Sequence, residues 1–237
     1  MENINTVLTD STNQEKKNNI SKIDFHTHIL PGIDDGSSSV EESLEMLSLL
    51  EKSGVDTVIC TPHFYPDSTM LDSFLKKREA AFESLKPHLE KFRMDIRLGA
   101  EIYFFNGISK SQSIEALKIE KTDYLLVEMP FCTWHTQTIN EILELNSRYD
   151  IKVVIAHIDR YLKYNPIHIF EELYNNGVYL QMNIDGMHSW LKAHKLKKLL
   201  SLKMIHFFGS DAHNTTDRKP NWEQFEKYGV HPAIQTI

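Results

Sequence analysis

From residue 22 onward, short apolar runs alternate with longer amphipathic stretches. The apolar runs predict seven strands, at 23–28, 57–61, 96–100, 124–128, 153–157, 178–184 and 205–210. Several are apolar throughout, which is typical of parallel strands buried on both faces. The stretches between them predict helices near 37–54, 70–93, 136–149, 166–176, 190–202 and 221–228. This alternation predicts a parallel α/β fold, and seven strands favour a distorted (β/α)7 TIM-like barrel over an open sheet.

The first helix and the chain's N-terminal stretch carry further local signals. Ser38 and Glu41 have the spacing of a capping box, and Gly54 is placed to end that helix. Residues 1–21 are polar and lack any apolar period, so we expect a flexible tail. The length of the remainder, 22–237, suits one α/β barrel domain.

Composition and charge disfavour general nucleic-acid binding, a disulfide framework and membrane insertion. With 26 basic and 33 acidic residues, the net charge is −7, which disfavours general nucleic-acid binding. The two cysteines form no C-x-x-C pair, which suits a reducing compartment. Neither a bilayer-spanning apolar run nor the apolar core of a signal peptide is present, so we expect a cytoplasmic protein without membrane insertion.

Six of the seven predicted strands end in, or run into, residue types that bind metals. Taken in chain order, these residues are His26, His28, His63, Glu101, Glu128, His157, Asp211 and His213. The carboxyl ends of barrel strands meet at one rim, so residues far apart in the sequence converge there. Residues i and i+2 of a strand point the same way, so His26 and His28 can bind one ion. Any one of these residues alone is a weak signal, but their shared position at strand ends predicts a metal site.

The ligand types and their number indicate what the site would hold. Mixed imidazole and carboxylate ligands suit Mn, Fe, Zn or Mg. The ligands exceed the needs of one ion, so we expect two or three ions and a bridging carboxylate, as in many phosphoesterases. Asp34 or Asp35, in the loop after the first strand, is a further candidate ligand. Arg160 and Arg218 follow the proposed ligands closely and could bind phosphate through their guanidinium groups.

Other catalytic signatures are absent from the sequence. Neither Cys60 nor Cys132 has an arginine six positions later, so the C-x5-R arrangement of thiol phosphatases is missing. The sequence also lacks a G-x-S-x-G elbow, a Walker loop, a G-x-G-x-x-G loop and an H-E-x-x-H helix.

The ordered motifs resemble the PHP family, named for polymerase and histidinol phosphatase domains. They are closest to its bacterial metal-dependent protein tyrosine phosphatases of capsule and exopolysaccharide loci. The motifs that carry this resemblance occupy 24–36, 99–103, 154–161 and 209–214.

The resemblance implies a trinuclear site with Mn as the favoured metal and nine ligands. His26, His28, Glu101 and Asp211 would hold the first ion, and Glu101 would bridge to a second ion held by Glu128 and His157. Asp35, His63 and His213 would hold the third, and Arg160 and Arg218 would grip the phosphate. A hydroxide that bridges the metals would attack phosphorus.

The implied activity is hydrolysis of phosphotyrosine on a protein partner, a bacterial tyrosine kinase, in the regulation of capsular or exopolysaccharide synthesis. Five aromatic residues near the ligands could flank the substrate ring: Tyr103, Phe104, Phe131, Trp134 and Tyr161. Three alternatives stay open: a small-molecule phosphatase of the histidinol-phosphatase type, a metal-binding regulatory module without turnover, and a polymerase-associated nuclease. The sequence leaves the oligomeric state open.

Overall fold

The computed structural model describes residues 21–148, 150–188, 190–228 and 237. The strands within them are β1 Ile23–Thr27, β2 Thr57–Cys60, β3 His63–Phe64, β4 Asp95–Leu98, β5 Glu101–Tyr103, β6 Tyr124–Glu128, β7 Lys152–Ile155, β8 Tyr179–Asn183 and β9 Phe207–Gly209. The α-helices are α1 Val40–Lys52, α2 Leu71–Leu85, α3 Thr136–Asn146, α4 Ile158–Tyr161, α5 Ile167–Asn175 and α6 Trp190–Ser201. Short 3₁₀ turns occupy Lys86–Lys91, Ile108–Lys110, Ser113–Leu117, Ile184–His188 and Trp222–Tyr228.

Every strand pair is parallel, as predicted, and the sheet curls into a distorted barrel. One part has the order β1-β2-β4 and the other β3-β5-β6-β7-β8-β9. The two ends meet where the backbone of β1 and the segment after β9 exchange hydrogen bonds, from His28 N to Ala212 O (2.9 Å) and from Asp211 N to His26 O (2.8 Å). The predicted barrel is therefore confirmed, with all strand carboxyl ends at one rim.

Two of the predicted strands are interrupted. The run 57–61 continues after a break as β3, and the run 96–100 continues after a break as β5. Pro62 lies at the first break, and it has no N–H to donate to a ladder. Its carbonyl still accepts from Glu101 N at 3.0 Å, so the backbone of the two strands stays connected across the interruption.

Alternation along the strands separates two apolar cores. On β6, Leu125 and Val127 belong to the larger core beneath the helices, whereas Leu126 belongs to a smaller cluster inside the barrel. Phe25 and Phe207 fill that smaller cluster with stacked rings whose centroids are 3.9 Å apart. Because side chains alternate between the faces of a strand, the interior-facing series of each strand leads toward the rim.

The predicted helices are found with changes at their ends. Ser39, and not Ser38, caps α1 by accepting from Glu42 N at 3.3 Å, so the expected capping box is shifted by one residue. The helix expected over 70–93 ends at Leu85, and a 3₁₀ turn containing Pro87 follows. The helix expected over 221–228 is also a 3₁₀ turn. In the ranges that the structure describes, no helix has the length and apolar character needed to cross a membrane.

Residues 1–20 of the predicted tail lie outside the described residues.

Candidate metal centre

Four predicted ligands converge near the carboxyl end of β1, the first residue of β5 and the segment after β9. His26 Nε2 and His28 Nε2 lie 3.1 Å apart, although an attraction between two imidazole nitrogens contributes little stability. Glu101 Oε2 lies 3.1 Å from His26 Nε2 and 3.4 Å from His28 Nε2. Asp211 Oδ1 lies 3.6 and 3.5 Å from the same two nitrogens. The four side chains therefore direct their ligand atoms at one common space.

Glu101 connects this group to a second one. Its other oxygen, Oε1, lies 2.9 Å from His157 Nε2, and that nitrogen is 3.5 Å from Glu128 Oε1. His63 Nδ1 lies 2.9 Å from Glu101 Oε2 and 3.9 Å from Glu128 Oε2. The carboxylate of Glu101 thus faces two clusters of ligand atoms, the geometry of a bridging ligand.

A third group surrounds the loop carboxylate Asp35. Asp35 Oδ1 lies 3.5 Å from both His63 Nε2 and His213 Nε2. One ligand atom each from His28, Asp35, His63 and His213 falls within a 4.8 Å span. All nine predicted ligands are therefore brought together, and His63 presents different nitrogens to the second and third groups.

The loop assigns different positions to its two acidic residues. Asp34 Oδ2 accepts a hydrogen bond from His28 Nδ1 at 2.7 Å and another from His63 N at 2.9 Å. Burial would raise the pKa of Asp34, but the hydrogen bond and charge of His28, together with the backbone hydrogen bonds from His63 and Gly36, lower that pKa to about 2. Asp34 therefore orients His28, and Asp35 is the one that faces the third group.

Irregular backbone directs two ligands into the site. Strict alternation along β7 would place His157 with Val153 and Ile155, facing the helices. Its left-handed φ of +27° breaks the alternation, and Nε2 reaches Glu101 inside the barrel. Asp211 also has a positive φ, +53°. Conformations of this kind cost about 1–3 kcal/mol in non-glycine residues and cluster at functional sites.

The chemistry of this cluster fits divalent cations. Glu101 Oε2, His63 Nδ1 and His213 Nε2 are buried without a hydrogen-bond partner. Such groups are costly to bury unless a cation or water satisfies them. Burial would raise the pKa of Glu101 and of Asp211, but the histidines opposite them hold both well below their usual range. The cluster thus contains ionised carboxylates that face imidazoles, the donor set that suits Mn, Fe, Zn or Mg.

Both predicted arginines lie against the acidic ligands. Arg160 forms an ion pair with Asp211 through Nη2 and Oδ2. Arg218 reaches Asp35 at 3.4 Å and Asp211 at 3.3 Å. The side chains of Arg160 and Arg218 are 34% and 37% exposed, so each guanidinium borders both the cluster and solvent.

The aromatic residues predicted to flank a substrate ring are mostly buried. Phe104, Trp134 and Tyr161 are at most 7% exposed and pack in the core, so the prediction is wrong for these three. Phe131 is 43% exposed and its ring stacks on His157, with centroids 5.9 Å apart. Sequence reasoning missed Tyr65, which is 40% exposed and stacks on His63 at 5.1 Å. The position of Tyr65, two residues after the predicted ligand His63, was the sequence signal that could have identified it.

Strand β8 supplies two buried amides that sequence reasoning also missed. Gln181 is 0% exposed and Asn183 is 2% exposed, and their side chains contact the predicted ligands. Their i, i+2 spacing on a predicted strand indicates that both side chains face the same side of the sheet. Carboxamides are not typical ligands of these metals, so this spacing alone did not mark them as site residues.

The family model for capsular polysaccharide synthesis, CpsB/CapC, matches residues 22–230. The chain belongs to the CpsB/CapC family. Curated relatives of this CpsB/CapC protein include the tyrosine-protein phosphatase CpsB of Streptococcus pneumoniae, which is 30% identical over 89% of this chain and 93% of its own length. The tyrosine-protein phosphatase YwqE of Bacillus subtilis is 31% identical over 83% of this chain and 79% of its own length.

Solved structures agree with this assignment. A structure from work on YwqE and CpsB, described there as unique metal-dependent tyrosine phosphatases, superposes with a TM-score of 0.72 and 26% identity, covering 86% of this chain and 84% of the other. The histidinol phosphate phosphatase of Lactococcus lactis, complexed with zinc, histidinol and phosphate, has a TM-score of 0.56 and 14% identity, covering 90% and 95%. At that identity the second likeness concerns the fold alone.

Proposed function

We propose that this CpsB/CapC protein is a metal-dependent protein-tyrosine phosphatase. The observation that carries the proposal is a buried cluster of imidazoles and carboxylates flanked by two partly exposed arginines. The relatives described as tyrosine-protein phosphatases support it, since they match most of the chain.

The proposed cluster holds two or three divalent ions, with Mn favoured. His26, His28, Glu101 and Asp211 would hold one, and Glu101, Glu128 and His157 a second. Asp35, His63 and His213 would hold the third. Support comes from the two oxygens of Glu101, which face different imidazoles, and from the orphaned atoms of His63 and His213. When bound, divalent ions supply Lewis acidity that activates water and neutralises phosphoryl charge.

Arg160 and Arg218 would bind and orient the phosphate. A guanidinium carries five N–H donors in a planar fork. The ion pairs of the structure engage one nitrogen of Arg160 and two of Arg218, which leaves further donors for phosphate oxygens. Because both arginines already neutralise Asp211, they also limit repulsion between that carboxylate and an incoming phosphate dianion.

The aromatic rim favours phosphotyrosine over an alkyl phosphate. Tyr65 and Phe131 expose rings beside His63 and His157, respectively, where a phenyl ring attached to the phosphate could pack. A phenol has a pKa of about 10 and is a better leaving group than an alcohol, so the reaction depends less on a general acid.

The protein partner we propose is a tyrosine-phosphorylated bacterial tyrosine kinase in capsular or exopolysaccharide synthesis. Support comes from the family description, which refers to capsular polysaccharide synthesis. The second candidate, a phosphatase for histidinol phosphate, would use the same cluster, and its support is the fold likeness alone.

A side-by-side turnover assay with added Mn tests the proposed function. The substrates are a phosphotyrosine peptide, the phosphoserine peptide of the same sequence, and histidinol phosphate. The phosphotyrosine peptide should give the largest kcat/KM. A clear preference for histidinol phosphate would contradict the tyrosine assignment and leave the metal cluster standing.

A further inference from the structure

The barrel strand β8 is the one predicted strand without a metal-ligand residue at its end, yet it directs two carboxamides into the centre. Tyr179 packs against the interior cluster, whereas Leu180 and Met182 belong to the core beneath the helices. Gln181 and Asn183 therefore share the interior-facing side of the strand with Tyr179. Both amides are almost fully buried, so they must be matched by hydrogen bonds or cost stability.

The two amides form a continuous relay between predicted ligands of different ions. The backbone N–H of His157 donates to Gln181 Oε1 at 2.6 Å. Gln181 Nε2 donates to Asn183 Oδ1 at 3.1 Å. Asn183 Nδ2 then donates to Asp211 Oδ2 at 3.0 Å.

The ends of this relay fix the direction of every hydrogen bond in it. A backbone N–H can only donate, so the Gln181 atom that faces His157 must be the oxygen. An ionised carboxylate can only accept, so the Asn183 atom that faces Asp211 must be the amide nitrogen. The internal bond between the two amides satisfies both requirements.

One consequence concerns His26. Its Nδ1 faces the same Gln181 oxygen at 3.4 Å. An oxygen acceptor at that position favours the tautomer with a proton on Nδ1. The lone pair of Nε2 is then directed at the space shared with His28, Glu101 and Asp211. Gln181 thus orients His26 through an oxygen acceptor at Nδ1, as Asp34 orients His28.

A second consequence concerns the backbone. The relay begins and ends on His157 and Asp211, the two site residues with positive φ. Residues in such conformations persist where the surrounding contacts over-determine them. Gly209 provides the necessary room, because a Cβ there would lie 2.6 Å from His26 Cβ and 2.9 Å from Gln181 Nε2.

We propose that Gln181 and Asn183 are positioning residues that set the tautomer of His26 and fix the orientation of His157 and Asp211 for metal binding. This inference rests on the proposed function only through the metals and is independent of which phosphate ester is hydrolysed. Outer contacts of this kind typically change metal affinity by about 10- to 100-fold.

The first test uses a matched pair of variants of the full-length, metal-free protein. Asn183→Leu removes the amide that donates to Asp211 and leaves the charge and approximate volume of the site unchanged. Asn165→Leu makes the same chemical change at another residue that is 2% exposed, whose amide bonds backbone atoms of Trp134 and Cys132. Mn affinity is measured by competition with a chelator, and thermal unfolding without metal is measured alongside.

Asn183→Leu should weaken Mn binding about 10- to 100-fold, whereas Asn165→Leu should leave it within about threefold at a similar loss of thermal stability. Equal effects of the two variants on Mn affinity would overturn the role of Asn183.

The second test measures the tautomer of His26 by ¹⁵N NMR on the metal-free protein. The wild-type protein and Gln181→Glu, which keeps an oxygen acceptor, should carry the proton on Nδ1. Gln181→Met, which removes the acceptor at similar volume, should lose that preference and bind Mn more weakly. A neutral His26 ring with its single proton on Nε2 in the wild-type protein would refute the proposal without any variant, even if Gln181→Met failed to fold.

Discussion

Replacing Arg160 by alanine separates phosphate binding from metal binding. The guanidinium forms an ion pair with Asp211, a proposed metal ligand, and a third of its side chain faces solvent. If it serves the phosphate, its loss removes charged contacts to the transition state, which are worth about 2–4 kcal/mol, or about 30- to 1000-fold in kcat/KM. Metal content should persist, because removing a nearby positive charge does not disfavour a cation on Asp211.

The assay compares aryl phosphate turnover, metal content and thermal unfolding. Arg160→Lys keeps the charge but loses the planar fork, so it should recover only part of the activity. Arg148→Ala is the matched control, because Arg148 also pairs with a carboxylate, that of Glu115, and donates to Ser111 O. None of these three residues is a predicted site residue. Loss of metal in Arg160→Ala, or activity within about threefold of wild type, would refute the reasoning.

Three further predictions follow from buried or exposed side chains. Replacing Cys60 and Cys132 by serine should leave turnover within a few fold, because burial raises the pKa of Cys60 to about 12 and suppresses its thiolate; a folded but inactive double variant would contradict this. Tyr65→Ala and Phe131→Ala should lower kcat/KM for aryl phosphates more than for alkyl phosphates, and equal losses in a kinetic comparison would exclude a role in ring recognition.

The last of the three concerns stability, measured by urea unfolding with chelator present. Burial lowers the pKa of His206 from 6.5 to about 4, so the unfolded state binds more protons between these values. The contribution of His206 to the free energy of unfolding should be complete above about pH 6.5 and should be lost as the pH falls toward 4. His206→Asn should therefore flatten the pH dependence, and an unchanged slope would count against this assignment.

The sequence was most informative where chemistry coincides with strand ends. His63, Glu101 and Glu128 could be placed at one rim because parallel strands share their direction, and the structure brings them within 4.8 Å of one another. The interruption at Pro62 did not disturb this, because the backbone hydrogen bonds continue beyond it.

Features that depend on tertiary contacts could not be predicted. His157 reaches the site only through a left-handed backbone conformation that residue alternation does not suggest. The division between Asp34 and Asp35 depends on how their loop packs against His28 and His63. Trp134 and Tyr161 follow predicted ligands in sequence, but both side chains are buried in the core.

The central claim is that several divalent metals bind at the rim and that hydrolysis depends on them. The most direct measurement combines elemental analysis of the purified protein with phosphotyrosine peptide turnover before and after chelation. We predict more than one metal per chain, loss of turnover when the metals are removed, and recovery when Mn is added. Full activity in a preparation that elemental analysis finds free of metal would contradict the account.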